Sequence, residues 1–277
     1  MDFVDFAIAV LYGIVQGITE WLPISSTAHL MLLERCLPGV LSGPFFNLFL
    51  VAIQLGSVFA VITHYLRVLV PIGAPRNVRK ESRALWIRML LGSVPAGVVG
   101  FFVDDALEQF FSRGDRGTIA VAVALAFYGA VFLVADRIFQ GKSRGNFHSD
   151  KLSIGDAIRV GCFQILALVP GTSRSGATVL GGMALGYERS RAAEFSFFLS
   201  VPIMAGATIL RAIKLMLDDV CITTGEALFL LVGMITAFLV SLLTMRFLVG
   251  FVRRYGFSVF GWYRLALSVT MLLFFVF

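Results

Sequence analysis

Hydrophobic residues run through this chain in long blocks. Six blocks, residues 45–66, 85–103, 118–135, 193–210, 227–251 and 257–277, approach or exceed the roughly 20 apolar residues that carry a helix across a bilayer core. Two further apolar stretches, 6–33 and 154–185, are each interrupted near the middle by a polar knot. The first knot runs from Glu20 to His29 and the second from Pro170 to Thr178. Proline removes a backbone donor and disfavours helix before it, so each stretch is predicted to form two short helices joined by a non-helical turn, a re-entrant hairpin. Irregular backbone at membrane depth is tolerated only inside protein or against a wet cavity, so the two turns are expected to face each other.

The knots lie about 148 residues apart, and Gly13-Ile14-Val15-Gln16 precedes the first much as Gly161-Cys162-Phe163-Gln164 precedes the second. Each half then reads as a broken hairpin followed by three spans. An odd number of spans per half inverts the second relative to the first. The expected fold is an all-α integral membrane protein of one domain, 1–277, with six transmembrane helices and two re-entrant helical hairpins in an inverted-topology repeat. Repeat 1 covers about 1–138 and repeat 2 about 150–277.

Composition strengthens this picture: 58% of the 277 residues are hydrophobic and 14% charged, and mean hydropathy is +0.88, far from a soluble domain. The net charge of +6 marks loops rather than a nucleic-acid surface. Arg67, Arg76, Arg79, Lys80, Arg83, Arg88, Arg137, Lys142, Arg144, Lys151, Arg159, Arg189, Arg191, Arg246, Arg253 and Arg254 fall on one predicted side. The other side mixes Arg35, Arg113, Arg116, Arg211 and Lys214 with seven acids, from Asp104 to Glu226. The basic side is expected to be cytoplasmic, which places both termini outside. The start lacks the basic region and cleavage site of a signal peptide, so the N-terminus is expected to be retained. Cys36, Cys162 and Cys221 show no metal or redox spacing and read as small packing residues.

The chemistry sits in the knots. Gln16 and Glu20, four apart, share a helix face, and an ionisable group in an apolar stretch points to function; the alternative is a Glu that only holds the turn. Ser25, Ser26 and Thr27 stand where a new helix begins, where free amides attract phosphate and hydroxyls either cap or contact a ligand. His29 lies one turn beyond Ser26 and could serve acid/base chemistry. Arg174 at mid-depth needs an anion, either a ligand or Glu20. Around it Gly171 and Gly176 allow close backbone approach, while Thr172, Ser173, Ser175 and Thr178 supply donors, so the turn reads as an oxyanion nest. His64 and His148 are not expected to be catalytic. Asn47 and Gln54, seven apart in one span, suit interhelical hydrogen bonds or, alternatively, the lining of the cavity. Glu194 suits an interfacial ion pair with Arg189 or Arg191, and Arg264 a snorkelling position.

The run from Gln16 to His29 (QGITEWLPISSTAH) together with Pro170 to Thr178 (PGTSRSGAT) resembles the paired signatures of the undecaprenyl-diphosphate phosphatases, also called bacitracin-resistance proteins. Phe49 to Ser57 and Glu194 to Phe197 also look like family segments. The resemblance implies a multi-pass protein of the bacterial plasma membrane that hydrolyses undecaprenyl diphosphate to the monophosphate carrier of peptidoglycan and envelope-glycan synthesis. It matches Ser26 to a nucleophile, Glu20 to an essential acid, Arg174 to a phosphate clamp and His29 to a supporting acid/base. Gln16, Ser25, Thr27 and the second knot then contact a polyprenyl diphosphate lipid. A divalent cation, Mg²⁺ or Ca²⁺, is implied as well. Many members carry Glu where this chain has Gln16, so the ion would be held jointly by Glu20 and the substrate pyrophosphate. Membrane lipid is the other expected partner, nucleic acid is not, and a homodimer is left open. The rival from another class is a transporter or flippase of a polyprenyl phosphate lipid using the same midplane site.

Overall fold

A computed structural model of the chain describes residues 3–37, 43–111, 115–139, 152–217 and 222–276, which form helices joined by turns, with no strand among them. His148, Cys221, Arg113, Lys142, Arg144 and Lys151 lie outside the described residues. In chain order the helices are α1 (Phe3–Thr19), α2 (Ser26–Cys36), α3 (Gly43–His64), the single turn α4 (Leu66–Leu69), α5 (Arg76–Phe111) and α6 (Asp115–Phe139). The second half holds α7 (Ile154–Ile165), continued by a tight turn (Leu166–Leu168), then α8 (Arg174–Ala184), α9 (Arg189–Leu217), α10 (Thr224–Tyr255) and α11 (Ser258–Val276). Among the described residues six helices, α3, α5, α6, α9, α10 and α11, are long and apolar enough to cross a membrane. Each holds one predicted span, give or take a residue or two at the ends. Both polar knots interrupt helix, at residues 20–25 and 169–173.

The surface identifies the solvent. Phe101, Phe102, Trp262 and Leu243 are between 66% and 77% exposed, and large apolar side chains cover the outward faces of all six long helices, a surface suited to lipid rather than water. Lipid gives apolar side chains no reason to associate, so helices meet where small residues let backbones approach. α1 packs on α10, α7 on α5, α6 on α11, and α3 on α9 and α10. At the α1–α10 crossing a Cβ on Gly13 would come within 2.7 Å of Gly233 O, and at the α7–α5 crossing one on Gly161 would overlap Gly92 O. Gly129 and Gly261 oppose each other in the same way where α6 meets α11.

One buried carboxylate fastens the ends of three helices. Asp136, near the end of α6, accepts hydrogen bonds from Phe257 N (2.6 Å), Ser258 N (2.9 Å) and Ser258 Oγ (2.9 Å), and its other oxygen faces Arg189 Nε at 3.0 Å. It thus caps α11 and ties in the start of α9. Arg191 makes its ion pair with Glu194, at 2.8 Å.

Three expectations need correction. Arg264 does not snorkel: it is wholly buried and bonded to backbone carbonyls, because α11 turns this residue toward the two knots rather than toward the interface. Asn47 is exposed, Gln54 is half-buried, and neither bonds across helices among the described residues; a hydrogen bond that does join α3 to α10 is Ser57–Ser241, 3.0 Å. Cys36 and Cys162 are exposed rather than packed.

Candidate active site

The two turns are built alike. Ser25 caps α2 by accepting from Ala28 N, and Ser173, its counterpart 148 residues on, caps α8 by accepting from Gly176 N. Both serines sit at φ 71°, a region where L side chains are strained. Helix therefore restarts within a few residues of each break. The amides at the start of α2 and α8 point along the helix axes toward the turns, as at any helix N-terminus.

Across the gap the turns are stitched together. Ser175 Oγ lies 3.2 Å from both Glu20 O and Leu22 O, and Ser173 Oγ is 3.1 Å from Ser175 Oγ. Arg264, from α11, donates Nη1 to Pro23 O at 3.0 Å and Nη2 to Gly171 O at 2.6 Å. Gly171, at φ 94°, turns its bare side to Val121 O of α6, where a Cβ would come within 2.6 Å, so packing requires glycine there; Gly176 faces the ring of Phe132 with less to spare than an ordinary side-chain contact.

Glu20 is the centre of the cluster. One carboxylate oxygen, Oε2, accepts from Ser26 Oγ at 2.9 Å and Gln16 Nε2 at 3.0 Å, while Oε1 faces Arg174 Nη2 at 3.2 Å. Gln16 is wholly buried and Glu20 8% exposed, so a carboxylate here depends on these three donors. Arg174 also donates Nη1 to Ser196 O of α9 (2.9 Å) and lies over the buried ring of Trp21, 5.8 Å from its centre. Thr178 Oγ1 lies 2.9 Å from Arg174 O and 2.6 Å from Ser196 Oγ, fixing the first turn of α8.

Of the residues singled out in the sequence, Gln16, Glu20, Ser26, Arg174 and Ser175 come together in one hydrogen-bonded network, with Ser173 joined through Ser175. Thr27 is exposed and outside it. His29 Nδ1 lies 2.7 Å from Ser25 O, a carbonyl, so Nδ1 carries the proton and donates. Its Nε2 then accepts from Tyr263 OH at 2.7 Å, and the rings stack at 7°. Neither nitrogen bonds Ser26 or Glu20. Sequence reasoning missed Ser196, Tyr263 and Arg264. Of these Arg264 carried a signal, a guanidinium inside an apolar span, and Ser196 lay in the family-like segment Glu194 to Phe197, whereas Tyr263 carried none.

Several buried polar atoms around the turns have no protein partner among the described residues: Gln16 Oε1, Trp21 Nε1, Thr172 Oγ1, Arg174 Nε and both amide atoms of Gln164. Buried polar groups are ordinarily satisfied, so their concentration here suits a polar ligand or ordered water. No group of three or more His, Cys, Asp or Glu among the described residues could hold a metal ion unaided.

Fold and cluster define a class: a polytopic α-helical membrane protein whose two broken hairpins join a hydroxyl, a carboxylate and a guanidinium. Within that class the chain belongs to the bacitracin resistance protein BacA family, whose model matches residues 9–270. It is 40% identical over 278 residues to an undecaprenyl-diphosphatase of Desulfitobacterium hafniense, covering 99% of this chain and 98% of the relative. Relatives of the same description from Streptococcus mutans (40% over 275 residues, 98% and 96% covered) and Enterococcus faecalis (36% over 277 residues, 99% and 98% covered) match equally fully.

Proposed function

We propose that the chain removes the terminal phosphate of undecaprenyl diphosphate, giving undecaprenyl phosphate and inorganic phosphate and so regenerating the lipid carrier of envelope-glycan synthesis. The relatives' description supports the reaction. The observation that carries the mechanism is Ser26 Oγ donating to Glu20 Oε2 at 2.9 Å while Arg174 faces the other carboxylate oxygen. On this reading Ser26 is a nucleophile within proton-transfer reach of its base, Glu20, and Arg174 is the cation paired with the same carboxylate.

In the mechanism that follows, the diphosphate head displaces the carboxylate from Arg174, whose fork takes non-bridging oxygens of the terminal phosphoryl group. Ser26 Oγ attacks the terminal phosphorus in line and passes its proton to Glu20. The bond to the bridging oxygen breaks, and undecaprenyl phosphate departs. Glu20 returns its proton to the departing undecaprenyl phosphate. Ionised again, it takes a proton from water, which attacks the phosphoserine, and hands that proton to Ser26 Oγ as inorganic phosphate leaves. Arg174 and the amides opening α2 and α8 balance the charge that spreads over the phosphoryl oxygens. His29, held by Ser25 and Tyr263, orients the first turn of α2.

A divalent ion fits only as a shared ligand. Glu20 is the single carboxylate of the cluster and Gln16 Oε1 is a buried oxygen without a partner, so these two would hold Mg²⁺ or Ca²⁺ together with the pyrophosphate. Such an ion supplies charge neutralisation at the phosphoryl oxygens. A flippase would need the cation and the hydroxyls but has no use for a serine already bonded to a carboxylate, which favours hydrolysis.

Both hairpins enter the membrane part-way on this reading, from opposite sides, with the arginine-rich loops in the cytoplasm and both termini outside. The pairing of α1 with α10 and of α7 with α5 supports it, since each is the first helix of one half packed on the fourth helix, not counting the single turn α4, of the other.

Phosphate release from a polyprenyl diphosphate by purified protein tests the mechanism. Ser26→Ala and Glu20→Gln are expected to lose about 10²-fold or more in kcat. Arg174→Lys is expected to fall at least about tenfold, because an ammonium cannot reach Ser196 O and a phosphoryl oxygen with one fork. Near-normal turnover by Ser26→Ala would rule out the covalent route, and unchanged activity in all three would remove the site.

A further inference from the structure

Arg264 lies inside α11, an otherwise apolar helix, yet its side chain is completely buried. Its fork spans two carbonyls, Pro23 O at 3.0 Å and Gly171 O at 2.6 Å, and Nε reaches Leu125 O at 3.4 Å. Pro23 and Gly171 stand 148 residues apart, the separation that also relates Ser25 to Ser173 and Ser26 to Arg174. One planar group therefore holds corresponding points of both turns. The guanidinium also lies over the rings of Tyr128 and Phe132, 5.8 and 5.9 Å from their centres.

No carboxylate among the described residues pairs with it. The ion pairs among the described residues are Arg159–Asp156, Arg174–Glu20, Arg189–Asp136 and Arg191–Glu194. A buried cation without an anion is costly, and carbonyls and aromatic faces offset only part of that cost. Were joining two carbonyls the whole task, a neutral amide would donate to them with far less desolvation. The charge acquires a use once the cluster is loaded. Glu20 and Arg174 cancel, so without Arg264 the meeting point of the turns is neutral, and a diphosphate ester arriving there is multiply negative.

We propose that Arg264 is a positioning residue for the reaction. Through the Pro23 and Gly171 peptides it sets the separation of the two turns, and with it the reach between the Ser26 hydroxyl and the Arg174 guanidinium. Its unpaired charge makes the junction net cationic toward the diphosphate. The inference rests on the phosphatase reading above, and wild type and Ser26→Ala assayed alongside keep the two separable: phosphate release by the first and not the second shows that reading intact whatever Arg264 does.

The test compares Arg264→Lys, which keeps the charge but cannot span both carbonyls, with Arg264→Gln, which loses the charge and keeps donors. Each is purified, checked for a monodisperse folded state, and assayed for kcat, KM and inhibition by inorganic pyrophosphate. Arg264→Lys is expected to lose about tenfold or more in kcat with its pyrophosphate inhibition constant little changed. Arg264→Gln is expected to lose kcat similarly and also to raise that constant about tenfold. A folded Arg264→Lys with wild-type kcat overturns the positioning role, and a folded Arg264→Gln with unchanged pyrophosphate inhibition overturns the electrostatic one. If neither variant folds, Arg264→Gly assayed in membranes with added ethylguanidinium or ethylammonium decides. Recovery by the guanidinium alone supports the proposal; equal recovery by both, or by neither, overturns it.

Discussion

Ser25 and Ser173 hold backbone that glycine would occupy more easily, and their hydroxyls offer a reason: each caps the helix that follows. The two effects can be separated. Ser25→Ala loses the cap and keeps the strain, a cost of about 1 kcal/mol or more. Ser25→Gly loses the cap but relieves the strain, and glycine is itself a fair N-cap, so its net cost is a few tenths of a kcal/mol at most. Thermal melting in detergent should therefore rank wild type and Ser25→Gly close together, with Ser25→Ala clearly below. If the alanine variant melts with or above the glycine one, the serine backbone is not strained. The same scale shows why Arg174 was legible in the sequence and Arg264 was not. Arg174 stands in a hydroxyl-rich turn after a proline, where its neighbours announce an anion site. Arg264 has Tyr263 and Leu265 beside it, and the carbonyls it holds come from residues 93 and 241 positions away. Depth along a span could be counted; the direction in which α11 presents its side chains could not. His29 is a related case, because spacing put it on the Ser26 face of α2, whereas Ser25 O and Tyr263 claim both its nitrogens.

At the scale of elements, the six spans and both breaks were readable because length, apolarity and proline are local properties. The partners of each helix were not. Gly13 and Gly161 marked the register of the repeat, but their real neighbours, Gly233 and Gly92, lie in the opposite half in each case. Helices α1 and α7 lead into the two turns, so these crossings set where the turns meet. Gly161→Ala would drive a methyl group into Gly92 O and push α7 off α5, an overpacking cost of about 1–3 kcal/mol, and phosphate release should fall with it. Gly250, in α10, has open space at the corresponding position, so Gly250→Ala should be neutral or gain up to about 1 kcal/mol from helix propensity. Melting temperatures of the pair check the argument. Equal stability of the two variants would mean that backbone proximity at the α5–α7 crossing does not matter.

Taken whole, the molecule joins corresponding ends at common levels, and that constrains its insertion. Asp136 binds Arg189 and caps α11, so the end of α6, the start of α9 and the turn between α10 and α11 share one end of the bundle. That is the end where Arg137, Arg191, Arg253 and Arg254 cluster, the end that the proposed orientation turns to the cytoplasm. Three long helices, α3, α5 and α6, separate the exit of the first hairpin at Cys36 from the entrance of the second at Ser153. An odd number of crossings must leave those two points on opposite sides. Cys36 is already exposed, and Ser153, the exposed cap of α7, can be changed to cysteine in a background where Cys36, Cys162 and Cys221 are serine. A membrane-impermeant maleimide added to intact spheroplasts should then label a variant retaining only Cys36 and leave Ser153→Cys untouched until the membrane is inverted. Labelling of both from one side would mean that the hairpins open in the same direction. The halves would then not be inverted copies, and a substrate head lying between two opposed turns would have to be given up even if hydrolysis itself were intact.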